Sequence, residues 1–339
     1  MNRPEASALN SAPQSESCGC AAPRKRLCDD CESAGESFVA CSLACLNSHR
    51  RASHANPAED SVARAHRHAR AASRQLSNRW DAYESHRERL MTLIAELPRG
   101  GELCVFGAGE ANELELERLS SIFSEIHLVD LDGEALSRAR DRQPAPVRAK
   151  IMLHEGVDGS GLLEHLDAWG ERFPERAELA RVAVEVAQSI VHGLGLTFPA
   201  VVSDCLLSQL ALPFQRAWLT SRGNWTDLLS TLSAIHLATL AGSTRSGGRC
   251  LLAFDAASSR DTPALAEQQG RGADELLEFV DEARAQGGLR LRPDPRTLMA
   301  QLSSPGMKSL VAEARVSEPW LWQRGVDTEL VYGLTFSHP

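Results

Sequence analysis

Residues Leu103 to Leu136 read LCVFGAGEANELELERLSSIFSEIHLVDLDGEAL. Two short apolar runs flank a glycine turn and a stretch of helical pattern, and the second run ends on an aspartate. The runs are almost continuously apolar, as strands covered on both faces must be. The same texture recurs along the chain. It predicts strands at ELCVF (102–106), EIHLVD (125–130), AKIMLHEG (149–156), AVVSD (200–204), RCLLAFD (249–255) and ELVYGLTF (329–336). Helical segments separate them, among them ELERLSSIFS, RAELARVAVEVAQSIVHGL and ADELLEFVDEARAQ. Strand–helix alternation of this kind implies an α/β fold with a parallel sheet and right-handed crossovers. Several connections exceed a minimal crossover, which predicts inserted helices.

The turn GAGEAN, Gly107 to Asn112, lies between a predicted strand and a predicted helix, the context in which a glycine-rich turn has meaning. Gly107 can adopt backbone angles closed to other residues, and Gly109 has no side chain to block a ligand lying on the backbone. A helix starting near Asn112 would aim free amides at the same spot. Asp130 ends the next strand, where an acidic side chain takes ribose hydroxyls in folds of this kind. Together these features predict an adenosine-bearing ligand. A dinucleotide fingerprint needs a third small residue where Asn112 stands, and the G-K-[ST] of a phosphate-binding Walker loop is absent.

VFGAGEANEL and HLVDLDGEALSRA resemble the first two motifs of the class I S-adenosylmethionine-dependent methyltransferases. HEGVDGSGLL, PAVVSDCLLSQL and GGRCLLAFDA resemble the third, fourth and fifth strand regions, and WLWQRGVDTELVYGLTF the closing pair. The resemblance covers about residues 80–337. It implies a Rossmann-like, mostly parallel seven-stranded sheet with an antiparallel last strand. It implies cofactor contacts at Gly107, Ala108, Gly109 and Asn112, at Asp130 and Leu131, and at Val157 and Asp158 near the adenine. Ala111 stands where the family's G-x-G-x-G has its third glycine. The fourth region lacks the Asn/Asp-Pro-Pro-aromatic run of enzymes that methylate bases or Gln side chains. Asp204 is the candidate catalytic residue there, with Cys205, Ser208 and Gln209 beside it. Trp80, Tyr83, His86 and Arg87 fall on a preceding helix that often folds over the cofactor in this family. Read from the residues alone, they form an aromatic anchor with solvated charges.

Six of the nine cysteines lie between residues 18 and 45, followed by two histidines: Cys18, Cys20, Cys28, Cys31, Cys41, Cys45, His49 and His54. Dense thiols in a reducing compartment point to metal before disulfides, and eight such ligands suit one or two structural zinc ions with no open position. CSLACLNSH resembles the second half of the HIT-type zinc finger and, more distantly, the MYND type. The first pair is C-x-C, and the last ligand is His54 where those families have cysteine. The resemblance implies a module that recruits a protein. The cations Arg24, Lys25, Arg26, Arg50 and Arg51 leave RNA open as a partner. Cys104, Cys205 and Cys250, isolated in apolar runs, read as buried hydrophobes.

This divides the chain into a disordered 1–17, a zinc finger at 18–54, a linker and helical segment at 55–98, and a Rossmann-like domain at 99–339. The net charge of −9 falls on the last part, where residues 99–339 carry 23 Lys and Arg against 33 Asp and Glu. That balance argues against a broad nucleic-acid surface there. With no secretory pattern at the start and no long apolar span, the sequence reads as cytoplasmic, with no membrane partner. Two functions remain: a methyltransferase with a recruiting finger, or a non-catalytic adaptor that keeps the methyltransferase-like fold. A nicotinamide-dependent oxidoreductase is a distant third, lacking an obvious second catalytic domain.

Overall fold

A computed structural model describes residues 62–67, 80–170, 172–217 and 223–339, together with three short strands near the N-terminus. The chain divides into two compact units, Met1–Arg64 and Ala65–Pro339. In the first unit, Phe38–Ala40 pairs in parallel with Glu16–Ser17 and antiparallel with Arg26–Leu27. All eight predicted zinc ligands lie outside the described residues.

The second unit is built on a sheet whose strands are β1 (Glu102–Phe106), β2 (Glu125–Asp130), β3 (Ile151–Glu155), β4 (Phe198–Asp204), β5 (Thr244–Ser258), β6 (Ala312–Val316), β7 (Trp320–Arg324) and β8 (Asp327–Ser337). The order is β3-β2-β1-β4-β5-β8-β7, with β6 also paired to β8. Strands β1 to β5 run parallel, and β8 is antiparallel to β5, β6 and β7. The expected mostly parallel sheet with a reversed last strand is therefore present. The count of seven needs correcting, because β6 and β7 occupy the same edge of β8 end to end. β6 pairs with Leu334–Ser337 and β7 with Asp327–Val331. Ser317, Glu318 and Pro319 break what would be one edge strand, since proline supplies no amide to a ladder. Ser317 closes the gap by donating its amide to Gly333 O (2.7 Å) and accepting the Gly333 amide on its hydroxyl (2.9 Å).

Ten helices cover the sheet: α1 (Glu84–Ile94), α2 (Leu116–Ile122), α3 (Gly133–Asp141), α4 (Ala145–Arg148), α5 (Leu163–Trp169), α6 (Arg176–Leu194), α7 (Leu212–Ala217), α8 (Trp225–Ser243), α9 (Ala273–Ala285) and α10 (Pro295–Leu302), among the described residues. Successive strand residues serve opposite cores, which is why the strands read as unbroken apolar runs. Cys104 and Phe106 join α5, α6, α8, α9 and α10 on one face, while Leu103 and Val105 join α1 and α2 on the other. Along β5, Cys250, Leu252 and Phe254 take the first side and Leu251 and Ala253 the second. All three isolated cysteines are buried, as read from the sequence.

Helix α1 belongs to this unit. Leu90, Met91, Leu93 and Ile94 are buried in the second core, and a Cβ on Gly333 would stand 2.9 Å from the Leu93 side chain. A solvent-facing adjunct would not place its leucines there. Leu90→Ala should lower the free energy of unfolding by about 2–5 kcal/mol, read by chemical denaturation; a loss below about 1 kcal/mol would show that α1 is peripheral.

Candidate functional site

The C-terminal ends of β1 and β4 diverge where the strand order reverses, the position at which open α/β sheets bind ligands. The glycine turn follows β1 there. Gly107 and Ala108 donate their amides to Val129 O at 2.9 and 3.3 Å, pinning the turn to the end of β2. Gly107, Gly109 and Ala111 adopt left-handed φ values of 73°, 47° and 53°. Ala111 thus keeps the conformation that the absent third glycine would supply more cheaply.

The two glycines have different surroundings. A Cβ on Gly107 would collide with Leu206 at 2.8 Å, so that glycine admits the chain that follows β4. A Cβ on Gly109 would meet only Asp130 Oδ2, at 4.0 Å, so the space beside Gly109 is open. Asp130 Oδ2 accepts the Gly109 amide and Oδ1 the Asp132 amide, both at 2.9 Å. Each oxygen keeps a second lone pair for a ligand hydroxyl. Burial raises the Asp130 pKa, and the two amide hydrogen bonds oppose that rise. The carboxylate and the open backbone therefore adjoin one another.

Helix α2 begins at Leu116 and not near Asn112. The left-handed Ala111 cannot enter a right-handed helix, so residues 108–114 make two turns closed by Ala111 N to Ala108 O (2.7 Å) and Leu114 N to Ala111 O (3.2 Å). No helix terminus points at the crevice from this segment. Asn112 is buried, and its carbonyl accepts Arg87 Nη1 at 2.9 Å. Glu110, which the sequence did not single out, is buried in an ion pair with Arg138 (2.7 Å) and Arg142 (3.4 Å) that moors the turn to α3.

After β3, the Val157 amide donates to Asp130 O at 3.1 Å, holding that loop against the crevice. Asp158 turns its carboxylate onto its own loop, accepting from Ser160 N (2.9 Å), Ser160 Oγ (2.7 Å) and Leu163 N (2.9 Å). That is how the chain enters α5, and it commits three of the four acceptor positions of Asp158. Leu131 is half-buried beside Asp130.

Asp204 ends β4 and is buried. Its Oδ1 lies 3.2 Å from His86 Nε2, and His86 Nδ1 lies 3.1 Å from Trp320 Nε1. An indole nitrogen can only donate, so Nδ1 is the acceptor and the imidazole proton sits on Nε2, directed at Asp204. His86 is thereby oriented as a donor to Asp204, stacked on Trp322 with ring centroids 4.3 Å apart. His86 and Arg87 are 0% and 4% exposed, which corrects the reading of solvated charges. Arg87 lies over the Trp80 ring at 3.6 Å, and burial lowers its pKa. The partners that bury His86 come from β7, more than 200 residues later, and local pattern cannot reveal them.

His86, Asp204 and Cys205 bring three ligand atoms within 4.8 Å of one another. The Trp320 hydrogen bond opposes a metal there, because ligation through Nε2 would move the imidazole proton to Nδ1, donor against donor. Cys205 has a left-handed φ of 45°, and burial raises its thiol pKa, helped by the carboxylates of Asp204, Asp255 and Glu113. It is a thiol, not a thiolate.

Glu113 follows the glycine turn and is half-buried. Burial, then the Asp204 carboxylate, raises its pKa to about 7, against the pull of His86 and, more weakly, of Arg324 at the end of β7. Asp255 on β5 is likewise raised by burial and accepts a hydrogen bond from the Ser208 hydroxyl. Strands β1, β4, β5 and β7 therefore converge their charged ends on one place.

No protein-family model matches the sequence, and no curated protein matches it. Solved structures show partial likenesses at low identity. A TehB-like SAM-dependent methyltransferase from Corynebacterium glutamicum is 12% identical, over 79% of this chain and 99% of its own, with a TM-score of 0.38. TrmN from Thermus thermophilus is 14% identical, over 76% of this chain and 52% of its own, with a TM-score of 0.35. The glycopeptide N-methyltransferase MtfA, complexed with sinefungin, is 13% identical, over 75% and 92%, with a TM-score of 0.36. The architecture is that of a Rossmann-like α/β protein with a crevice at its switch point.

The Glu113 carboxyl binds its proton more tightly folded than unfolded, so its contribution to stability is fully present below pH ~4.5 and is lost as pH rises through about 7. Glu113→Gln should therefore be stabilising at pH 8, by about 1–3 kcal/mol, and nearly neutral at pH 4. Denaturation midpoints at the two pH values measure this; equal shifts at both would contradict it.

Proposed function

We propose that Ala65–Pro339 binds S-adenosylmethionine in this crevice and transfers its methyl group to an acceptor. One observation carries the reading: the Asp130 carboxylate sits on the Gly109 amide, beside backbone that no side chain covers. Asp130 would accept the ribose hydroxyls, Gly107 to Gly109 would run under the sugar and methionine portion, and the Val157 loop would border the base. When bound, the cofactor supplies an activated methyl group on a sulfonium, so the protein's part is chiefly to position it and exclude water. Asp204, oriented by His86, stands ready to take a proton from the acceptor.

The cysteine-rich segment is proposed as a zinc-binding recruiting module. Its six thiols and two imidazoles suit structural zinc, and thiolate ligation would supply folding energy to a segment short of apolar residues. A protein partner fits such a module best, in a cytoplasmic setting.

Titration calorimetry with S-adenosylmethionine should give submillimolar binding and none with NAD. Asp130→Ala should weaken binding about 10–100-fold by removing a charged acceptor. Gly109→Ala should cost only about 1 kcal/mol of stability from its left-handed φ, yet block the cofactor. Tight NAD binding, or unchanged affinity in both variants, would overturn the reading. Labelled-methyl transfer into size-fractionated lysate separates enzyme from adaptor: binding without any labelled product would favour a non-catalytic role. Metal analysis of the purified full chain should find one or two zinc ions per molecule, lost with Cys28→Ser and Cys31→Ser together. A zinc-free, folded chain would dismiss the module.

A further inference from the structure

We infer that the methyl acceptor is an amine that enters the crevice as a cation, an inference that rests on the proposed function. The charge inventory is lopsided. Glu113, Asp204 and Asp255 face one another around Cys205, with Glu329 beyond Asp255, and Arg324 is the guanidinium among them. At pH 8, above the raised Glu113 value of about 7, the carboxylates around Cys205 outnumber the Arg324 guanidinium in a place where burial weakens screening.

A second observation comes from hydrogen bonding. Asp255 Oδ1 is buried and finds no donor among the described residues, although the carboxyl accepts from Ser208. A buried acceptor left without a donor costs about 1–3 kcal/mol, and a ligand N–H can satisfy it. An ammonium brings three donors and a positive charge, matching both the field and the orphaned oxygen. A carboxylate acceptor would meet like charges, and a hydroxyl would gain nothing from the field.

The proton balance also fits. The ammonium gives one proton to the Asp204 carboxylate, whose geometry His86 fixes by donating to it. The freed nitrogen lone pair then bonds to the methyl carbon as the carbon–sulfur bond breaks. That bond's electron pair stays on sulfur, which becomes a neutral thioether. The product leaves as a methylated ammonium, and the proton on Asp204 passes to water.

The test uses one molecular frame with three charges. The full-length protein, saturated with S-adenosylhomocysteine, is titrated at pH 8 with benzylamine, benzyl alcohol and benzoate. Benzylamine should bind at least about tenfold tighter than the alcohol, and benzoate should not bind. Asp255→Asn should weaken benzylamine about tenfold and leave benzyl alcohol unchanged. Equal binding of the three, binding of none, or an Asp255→Asn variant that holds benzylamine as well as the parent would overturn the inference. The S-adenosylhomocysteine titration that comes first reads the underlying proposal separately. If it shows no binding, the methyltransferase reading falls, while benzylamine against benzoate on the unliganded protein still reports the preference for a cation.

Discussion

The Asp130 carboxylate holds the crevice together. Through Oδ2 it takes the Gly109 amide, and through Oδ1 that of Asp132, which in turn caps α3. A single side chain thus joins the turn after β1, the end of β2 and the start of the next helix. Were it absent, the turn would keep its ties to Val129 but lose the bond that presents the Gly109 backbone outward. An anion is costly to bury, and here two amides offset that cost.

A second tie runs across the sheet. Trp320, His86 and Asp204 form a line of hydrogen bonds joining β7, α1 and β4. Its direction is set by the indole, which has only a proton to give. Every residue downstream is then assigned a role: His86 passes a donor onward, and Asp204 receives it. This fixes the protonation pattern of a buried site through covalent identity at its far end, without a change of charge anywhere along the line. Glu113 and Asp255 work differently. Burial raises the pKa of both, that of Glu113 to about 7.

How much of this was legible beforehand depends on range. ELCVF and EIHLVD match β1 and β2 residue for residue, and RAELARVAVEVAQSIVHGL is α6. Those segments are governed by local periodicity and two-sided burial. The pairing of Gly109 with Asp130 was also readable, because strand, turn, helix and strand follow one another in sequence. The start of α2 was not, since an alanine gives no outward sign that it will adopt a left-handed φ. Nor was β6 at Ala312–Val316, whose alternating half-buried and exposed residues lack the apolar run of the central strands. His86 and Arg87 looked like surface charges because α1 carries no hint of Trp320 and Trp322. Asp255 and Arg324 were missed for the same reason: each lies inside an apolar strand region, and only the assembled sheet brings them beside Cys205.

The line from Trp320 to His86 has a bearing on how the protein comes into being. Trp320 follows His86 by 234 residues. A chain emerging from the ribosome can form β1, β2 and β3 with their helices before β7 has been made. In that interval the imidazole has no fixed tautomer and β5 has one open flank. The line is consequently completed only once β7 has been made, so that a nascent chain lacking β7 would carry the glycine turn without an ordered His86–Asp204 pair.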